Sequence, residues 1–375
     1  MLNGRLVLFG SEGQPNGCNF YRIKQPLTYI AEKDIFPCAT SSMLTGDDLD
    51  LWIDKADIIV SQKATSDKFL EFMFEQHGKQ KFCIDLDDNI FAVSPYNPSY
   101  YYHGVKEVDF ELPNGKMVQV RDGLNGFDLK ANELRLKICV NSLRLADMVT
   151  TPSSVLAGKL KNLGAKNVRV IKNFINFEHW QKLSLVKDEF IRIGWQGGMA
   201  HFEDWCEISD AIRRVMERYS NVLLVIMGTH YKGTTIGFPE DRIVAVQWLP
   251  IEIYPYKFKT LGIDIGIAPI TNTEFSTCKS EIKWEEYSAL EIPCVASNIP
   301  PYNLNIDDGK TGFLCKDKDD WYETLCELVE SKELRDKIGI QARKRIESVY
   351  DISIGVKQYE SAYNSLVGKK ELISV

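Results

Sequence analysis

The chain alternates short apolar runs with longer stretches that repeat apolar residues at helical spacing. Short apolar runs bounded by turn residues predict buried strands, and the amphipathic stretches predict helices. In the first half, the predicted strands are 5–9, 57–60, 81–84, 148–150 and 168–171, and the predicted helices are 19–32, 67–76, 129–145 and 153–163. Strands that alternate with helices are typical of parallel sheets with helices on both faces. The chain is therefore predicted to be an α/β protein.

The alternation stops at a polar segment and then starts again. Residues 176–187 show no clear period and predict a linker. Beyond it, predicted strands follow at 190–195, 222–227, 242–246, 264–268, 293–296 and 313–314, with helices at 203–219, 251–259, 319–330, 333–349 and 352–366. The 375 residues are enough for two such modules. We predict one Rossmann-like domain at 1–178, a second at 188–350, and a last helix within 351–375 that crosses back to the first domain.

A long insertion interrupts the first predicted domain at about 85–128. It is rich in Tyr, Pro, Asn and Asp and does not fit the alternation of strands and helices. Within it, 105–112 and 117–121 flank Pro113-Asn114-Gly115-Lys116, a sequence typical of a β-hairpin turn. Four tyrosines between 96 and 102 either contact a substrate or pack under the hairpin. An insertion of this length usually serves a function.

Composition excludes several classes of protein. Hydrophobic residues make up 44% of the chain and charged residues 26%, which argues for folded cores and against extensive disorder. The net charge of −7 gives no overall attraction to nucleic acid or to an anionic membrane. Nine cysteines without a C-x-x-C pair favour reduced thiols over disulfides or a zinc site. Without a predicted signal peptide or membrane span, we expect a cytoplasmic protein with no stable membrane insertion; peripheral membrane contact stays open.

The segment 266–297 carries the most specific pattern of polar residues. A predicted buried strand runs into a polar loop, and the loop runs into a helix predicted to open with Lys279, Ser280 and Lys283. Cations and a hydroxyl beside the N–H groups of a helix N-terminus make a site for an anion such as a diphosphate. Glu286 lies one turn beyond Lys283, so its carboxylate is predicted to hold a sugar hydroxyl.

Two further loops follow predicted strands. After 190–195, Gly197 and Gly198 offer backbone N–H groups to a diphosphate, and His201 stands close behind them. Taken alone, His201 would cap a helix or lie in the core. After the first strand, a loop with glycines ends at Gly17 and allows close approach of backbone to a ligand, but its spacing is not the dinucleotide fingerprint. In one interpretation this loop contacts a ligand and Arg22 reaches a phosphate or the acceptor. In the alternative, the loop is an ordinary turn and Arg22 is solvated.

Two motifs and one longer run together carry a resemblance to a known family. The motifs are W-x-G-G-x-x-H-x-x-D, from Trp195 to Asp204, and K-S-x-x-K-x-x-E-Y, from Lys279 to Tyr287. The run from Glu286 to Ser297 resembles the signature helix and strand of the group-1 (family 4-like) nucleotide-sugar glycosyltransferases, in a subgroup common in bacteria and phages. That family usually has Glu at the position of Cys278 and Gly at that of Glu291. The absence of Glu at the position of Cys278 argues against a mechanism that needs a carboxylate there.

The resemblance implies a GT-B fold, with two Rossmann-like domains facing a central cleft, and a retaining transfer of sugar from a UDP- or GDP-linked donor. It implies catalytic roles for Lys279, Lys283, Glu286 and His201. It implies a donor site completed by Gly197, Gly198, Gly228, Trp248, Leu249 and Ser280, with the nucleobase near 247–250. The implied acceptor residues are Gly17, Tyr21, Arg22, Asp87, Asp88 and His103. No cofactor is expected beyond the nucleotide sugar as co-substrate, and no metal, because cations and helix N-termini balance the diphosphate charge.

Several alternatives stay open at this level. One motif, Asp85-Leu86-Asp87-Asp88, resembles both a metal–diphosphate motif and the nucleophile loop of aspartate-based phosphatases. An equal alternative is that these acids form a turn or cap a helix. His103 either contacts the acceptor or caps a turn. The rival functions are a non-catalytic nucleotide-sugar or glycan-binding protein and a Mg-dependent aspartate-based phosphotransfer enzyme. The acceptor is a glycan, a small molecule or a modified base in DNA, and the oligomeric state is not predicted.

Overall fold

The computed structural model describes residues 8–11, 16–112, 115–186, 188–230 and 232–367. Part of the predicted first strand (5–7), four residues of the loop after it (12–15), the hairpin turn at 113–114 and the end of the chain (368–375) lie outside the described residues. The strands described are β1 (Leu8–Ser11), β2 (Cys38–Thr40), β3 (Ile58–Gln62), β4 (Lys81–Asp85), β5 (Val108–Glu111), β6 (Met117–Val120), β7 (Met148–Thr151), β8 (Val168–Val170), β9 (Ile191–Gly197), β10 (Val222–Gly228), β11 (Ile243–Val246), β12 (Ile265–Ala268), β13 (Cys294–Ser297) and β14 (Phe313–Cys315).

Two parallel six-stranded sheets organise the described chain. The first has the strand order β2-β1-β3-β4-β7-β8, and the second has the order β11-β10-β9-β12-β13-β14. Within each sheet every pairing is parallel, and the strands are continuous apolar runs because helices cover both faces. The prediction of two Rossmann-like α/β units is confirmed. Separately, β5 and β6 pair in antiparallel register, which confirms the predicted hairpin.

The helices lie between the strands, as the alternation predicts. They are α1 (Gly17–Asn19), α2 (Gln25–Glu32), α3 (Asp47–Lys55), α4 (Asp67–Glu75), α5 (Tyr100–His103), α6 (Leu129–Leu145), α7 (Ser154–Asn162), α8 (Phe202–Arg218), α9 (Tyr254–Phe258), α10 (Ile282–Ala289), α11 (Lys318–Glu330), α12 (Lys332–Val349) and α13 (Ile352–Val367). Side chains of Asp128, Ser153, Asp317 and Ser331 cap four of them by accepting backbone N–H groups. A π-helical turn, Phe20–Lys24, joins α1 to α2. No helix in the described ranges is long and apolar enough to cross a membrane.

The last helix packs against the first sheet's domain. Val356, Tyr359 and Tyr363 of α13 lie in one buried cluster with Ile23 and Leu27 from the start of the chain. The chain enters this position through a backbone bridge at Ile175, whose amide donates to Tyr350 and whose carbonyl accepts from Ile352. Residues near 175 and near 351 are therefore the two places where the chain passes between the domains.

Some sequence-based boundaries were wrong. The helix predicted to open at Lys279 begins at Ile282, because Lys279 has extended backbone and Glu281 occupies the N-cap position. The helix predicted at 251–259 is reduced to α9, since Pro255 fits only the first turn. The pattern also missed β2 and α3. β2 is three residues long and lacks an extended apolar run.

Candidate active site

The carboxyl ends of both sheets face each other across a cleft between the domains. From the second domain come the loop after β9, the loop after β12 and the helix α10. From the first come the residues that follow β3 and β4. Hydrogen bonds cross from one side to the other, including one from the Tyr21 hydroxyl to Glu286 at 2.7 Å. Polar groups from two parallel sheets therefore meet at the position where such folds bind ligands.

Glu286 is a buried carboxylate on α10 that receives hydrogen bonds from both domains. Its Oε1 accepts from Tyr21, and its Oε2 accepts from Gln196 Nε2 at 2.9 Å and from the Tyr254 hydroxyl at 2.9 Å. Burial raises the pKa of Glu286, although the three donors and the charge of Lys283 act in the opposite direction. The carboxylate thus lies in a donor-rich pocket, where hydroxyl groups are its preferred partners.

Lys279 and Lys283 lie near Glu286 at the start of α10. Burial lowers the pKa of Lys283 to about 8; Lys279 acts in the same direction, and Glu286 opposes it. The pKa of Lys279 is shifted in the opposite direction, because carboxylates surround this amine. Burial by itself lowers its pKa, but the charge of Asp88, whose Oδ1 lies 3.5 Å from Nζ, raises it above the ordinary value. The two amines concentrate positive charge at one place in the cleft, as a diphosphate site requires.

Asp87 and Asp88 follow β4 and lie opposite Lys279. Lys63 Nζ is 3.5 Å from Asp87 Oδ1 and 3.8 Å from Asp88 Oδ2, and the Cys18 thiol is 3.9 Å from Asp88. Burial raises the pKa of Asp87, whereas the pKa of Asp88 is lowered because Lys279 and Lys63 outweigh the effect of its burial. The ligand atoms of Cys18, Asp87 and Asp88 lie within 4.8 Å of one another, a spacing that a metal ion would also accept. In this structure the amines of Lys63 and Lys279 lie beside the same two carboxylates.

His201 forms a dyad with Asp204 at the start of α8. Its Nδ1 lies 2.6 Å from Asp204 Oδ2. Burial lowers the pKa of His201 to about 4, with Lys283 acting in the same direction, so the ring is neutral at pH 7. Because an ionised carboxylate only accepts, Nδ1 carries the ring proton. Asp204 Oδ1 accepts in turn from the Thr271 amide at 2.7 Å, which ties the dyad to the loop after β12.

The predicted donor glycines lie side by side at the ends of two strands. Gly197 and Gly228 are register partners on β9 and β10. A Cβ on Gly228 would lie 2.3 Å from the Gly197 carbonyl oxygen, and Gly228 has φ +113°, so glycine is required there. A Cβ on Gly198 would meet no heavy atom within 4 Å, so the loop is open beside it.

Trp248 and Leu249 lie at the end of β11, in the second domain. The Trp248 ring is 45% exposed and stacks on Tyr254 with a centroid distance of 5.2 Å. Tyr254 is one of the donors to Glu286, so Trp248 lies one ring away from that carboxylate. Leu249 packs against the core of the second domain.

Ser280 lies beside the connection between the domains. Its hydroxyl accepts from Asn173 Nδ2 at 2.9 Å, and the neighbouring Lys172 donates to Glu281 at 2.7 Å. The segment before α10 is therefore held by residues that directly precede the linker.

The acceptor residues predicted near the N-terminus are mostly buried. Arg22 has no exposed side-chain surface and is paired with Asp85 at 2.7 Å, and it also donates to the carbonyl of Ile171 at 2.5 Å. The structure places Arg22 in the interior rather than at the predicted acceptor surface, because a buried guanidinium needs a carboxylate and carbonyls to satisfy its donors. Tyr21 is buried as well and contacts Glu286, which was predicted to belong to the donor side. Gly17 begins α1, and a Cβ there would meet open space.

His103 lies on α5 within the insertion. Its Nδ1 lies 3.1 Å from the Ser99 carbonyl oxygen, and burial lowers its pKa. Among the neighbouring tyrosines, Tyr100 is buried against Phe127, whereas Tyr102 is 60% exposed. Within this group, Tyr100 is therefore a packing residue, whereas Tyr102 is exposed to solvent.

Sequence reasoning missed several residues that complete the site. Lys63, Tyr254 and Gln196 each contact a carboxylate that had been singled out. For Lys63 a signal was present, since it directly follows β3, whose carboxyl end adjoins that of β4. Tyr254 gave no signal, because its contact with Glu286 depends on how α9 packs.

Comparisons with known proteins agree with this architecture. No family model matches the chain. HepE of Anabaena, solved in complex with UDP, superposes with a TM-score of 0.63 over 96% of this chain and 100% of its own, at 13% identity. The fold is GT-B. The predicted fold class is therefore confirmed.

Curated relatives match the GT-B chain over part of its length. A trehalose synthase of Thermococcus litoralis is 25% identical over an alignment of 182 residues, and the match covers 44% of this chain and 43% of the relative. The capsular polysaccharide biosynthesis glycosyltransferase CapM of Staphylococcus aureus is 24% identical over an alignment of 221 residues, and the match covers 53% of this chain and 54% of CapM. The chain thus spans about half the length of the curated relatives it matches.

Proposed function

We propose that the protein is a glycosyltransferase that moves a sugar from a UDP- or GDP-linked donor to an acceptor hydroxyl with retention of configuration. The observation that carries this proposal is the placement of Lys279, Lys283 and Glu286 together on the second-domain side of a GT-B cleft. Lys283 and Glu286 lie within one turn of α10 and Lys279 lies in the loop just before it, so that two cations and a carboxylate match a diphosphate next to a hydroxyl-bearing ring. The names of CapM and the UDP complex of HepE support the same class of reaction.

In the proposed reaction the acceptor oxygen bonds to the anomeric carbon of the sugar. The bond between that carbon and the diphosphate oxygen breaks, the electron pair leaves with the nucleoside diphosphate, and the hydroxyl proton is released to the same leaving group. Lys279 and Lys283 stabilise the negative charge that develops on the diphosphate. Glu286 orients a ribose or sugar hydroxyl, which takes over from the Tyr21 hydroxyl.

Retention proceeds in this proposal without a covalent intermediate. The acceptor attacks from the face that the diphosphate leaves, while the leaving group and the sugar form an ion pair. Neutral His201, held by Asp204, lies beside Lys283 and accepts a hydrogen bond from the sugar through Nε2. We propose that no metal takes part, because the protein's own amines meet the charge of the diphosphate. The acceptor is a glycan or a small molecule, and a modified base in DNA is a further candidate.

One rival function is opposed by a specific contact. An aspartate-based phosphotransfer enzyme would use Asp85 as its nucleophile or metal ligand. Asp85 is buried, paired with Arg22 through two nitrogens, and also accepts from the Thr150 hydroxyl. A carboxylate engaged in this way is a structural group. The other rival, a non-catalytic binding protein, keeps the same site and differs only in turnover.

A donor assay tests the proposal. Purified protein is incubated with UDP- and GDP-sugars, and released nucleotide and sugar products are followed by mass spectrometry and by proton NMR of the anomeric signal. The expected result is slow donor hydrolysis alone and faster turnover with an acceptor, with the α or β configuration of the donor kept. Nucleotide-sugar binding without turnover under any acceptor condition would favour the binding protein. Product of inverted configuration would contradict retention.

A further inference from the structure

A cavity of about 470 Å³ lies between the insertion of the first domain and α8 of the second. Tyr96, Glu111 and Leu112 line it from the insertion side, and Phe202, Glu203 and Glu207 line it from α8. The turn end of the hairpin, the segment before α5 and the first turns of α8 therefore contribute to one space. A volume of this size accepts one or two sugar rings, within the range of ligand pockets.

One wall of the cavity is a pair of aromatic rings, one from each domain. The rings of Tyr96 and Phe202 stack with a centroid distance of 5.8 Å and an interplanar angle of 26°. Phe110 of the hairpin contacts the Tyr96 ring at 4.5 Å, and the Tyr96 hydroxyl donates to the Glu111 carbonyl at 3.3 Å. Tyr96 is thus fixed by its neighbours, and such a rigid ring suits the C–H face of a sugar.

The polar part of the wall is acidic. Glu111, Glu203 and Glu207 line the cavity, and none of the described lining residues is Lys or Arg. Burial raises the pKa of Glu203 above its ordinary value. Carboxyl groups bind hydroxyl and ammonium groups and repel phosphate or carboxylate substituents. The lining therefore selects against anionic ligands.

The cavity adjoins the proposed catalytic groups. Phe202 and Glu203 directly follow His201 along the chain, and Thr271, which also lines the cavity, donates its amide to Asp204. An acceptor held here would lie on the side of the His201–Asp204 dyad that faces the insertion. We propose that this cavity is the acceptor subsite and that it takes a carbohydrate without negative charge, packed against the aromatic wall of Tyr96 and Phe202 and hydrogen-bonded by Glu203 and Glu207. This inference rests on the proposed transferase function.

The test measures transfer to a panel of neutral sugars, their amino forms and their phosphorylated forms, with a donor that the wild type hydrolyses. Neutral or amino sugars are expected to accept, and phosphorylated sugars to be poor acceptors. Tyr96→Ala is expected to lower kcat/KM about fivefold to tenfold, mainly through KM, because part of the aromatic wall is lost. Tyr96→Phe keeps the ring and is expected to retain most of the rate. Tyr102→Ala removes an exposed ring of the same insertion that does not line the cavity, and serves as the matched control.

Glu207→Lys gives an independent result that does not depend on the packing of the insertion, since Glu207 is exposed on α8. It is expected to shift acceptor preference toward phosphorylated sugars, because a cation replaces one of the three carboxylates of the lining. Unchanged acceptor preference in both Tyr96→Ala and Glu207→Lys, or transfer restricted to phosphorylated sugars, would overturn the subsite. So would donor hydrolysis with no transfer to any neutral or amino sugar. Absence of both nucleotide binding and donor hydrolysis in the wild type would instead overturn the proposed function, and the subsite with it.

Discussion

At the scale of single residues, the site is a set of charged and polar groups that pair with one another in and across the cleft. Lys279 faces Asp88, Lys63 faces Asp87, and Glu286 receives three hydroxyl or amide donors. A ligand that binds here replaces some of these contacts. A diphosphate competes with Asp88 for Lys279, and a ribose or sugar hydroxyl competes with Tyr21 for Glu286.

The lowered pKa of Lys283 predicts a pH-dependent affinity for nucleoside diphosphate. With a pKa of about 8 in the free protein, the amine is mostly charged at pH 7 and mostly neutral at about pH 9.5. A diphosphate binds the charged form, so binding takes up a proton above pH 8 and the affinity falls as pH rises, by at most about tenfold per pH unit. Calorimetry in buffers of different ionisation enthalpy measures both quantities.

Lys283→Arg is the control for this prediction. Arginine stays protonated over the whole range, so the fall in affinity above pH 8 is expected to disappear. A wild-type affinity that is constant from pH 7 to 9.5, or a slope that persists in Lys283→Arg, would contradict the assignment of this amine to the diphosphate.

Asp88→Asn tests the competition for Lys279. The substitution removes the negative charge 3.5 Å from Nζ and keeps the shape of the side chain. We expect nucleoside diphosphate to bind a few-fold more tightly than to the wild type, because Lys279 no longer has a competing charge. Asp67→Asn, on the exposed first turn of α4, makes the same charge change away from the site. Weaker binding in Asp88→Asn would show that Asp88 supports the ligand rather than competing with it.

Sequence reasoning works best for site residues whose partners lie close to them along the chain. Lys283 and Glu286 share a face of α10, so the spacing along one helix was enough to bring them together. Arg22 shows the limit of such reasoning. Arg22 lies in the π-helical turn before α2, whereas its partner Asp85 is distant in sequence and ends β4, and only the assembled domain reveals that the two are buried together.

At the scale of elements, most helices and strands followed from the alternation of apolar and polar residues. The 17 residues of α6 were predicted with the observed boundaries, because a long amphipathic pattern follows a capping Asp128. The elements that were missed are short, such as β2, or rich in Asp, such as α3. The start of α10 was misplaced because the polar loop before it contains residues that also suit a first helical turn.

The packing of α13 gives a prediction in which sterics and helix propensity oppose each other. A Cβ on Gly355 would lie 2.3 Å from the Phe174 ring, so Gly355→Ala forces the helix away from the linker. We expect a loss of about 1–3 kcal/mol of stability, although alanine is the better helix former. On α7, a Cβ on Gly158 meets nothing within 4 Å, so Gly158→Ala is expected to gain about 0.5–1 kcal/mol.

Urea denaturation of both variants, followed by circular dichroism, measures these changes. The two substitutions are chemically identical and both lie within helices, so their difference reports the contact with Phe174. A stabilised Gly355→Ala variant would show that α13 does not press against the linker in solution.

At the scale of the whole molecule, several polar contacts hold the two domains together around the cleft. Besides the bond from Tyr21 to Glu286, Lys159 pairs with Glu274 at 2.6 Å, and Lys172 pairs with Glu281 at 2.7 Å. The sequence predicted two domains but not these pairs, because each joins residues from different folding units.

Activity is predicted to be independent of divalent metal. In the cleft, the acids Asp87 and Asp88 lie next to Lys63 and Lys279, and the proposed diphosphate site is formed by Lys279 and Lys283. Turnover of the donor in 10 mM EDTA, about the concentration used to strip bound metal, is expected to equal turnover without it. Loss of activity that Mn²⁺ or Mg²⁺ restores would assign the Cys18, Asp87 and Asp88 cluster to a metal and contradict the mechanism.

The most direct test of the central claim is calorimetric binding of UDP and GDP to the wild type, Lys279→Ala and Lys283→Ala. Lys332→Ala, an exposed residue of α12, makes the same change in net charge away from the cleft and serves as the control. We predict that the wild type and the control bind one of the two nucleotides equally well, and that each cleft variant loses about 1.5–3 kcal/mol of binding free energy. Unchanged affinity in both cleft variants, or no binding of either nucleotide by the wild type, would contradict the account.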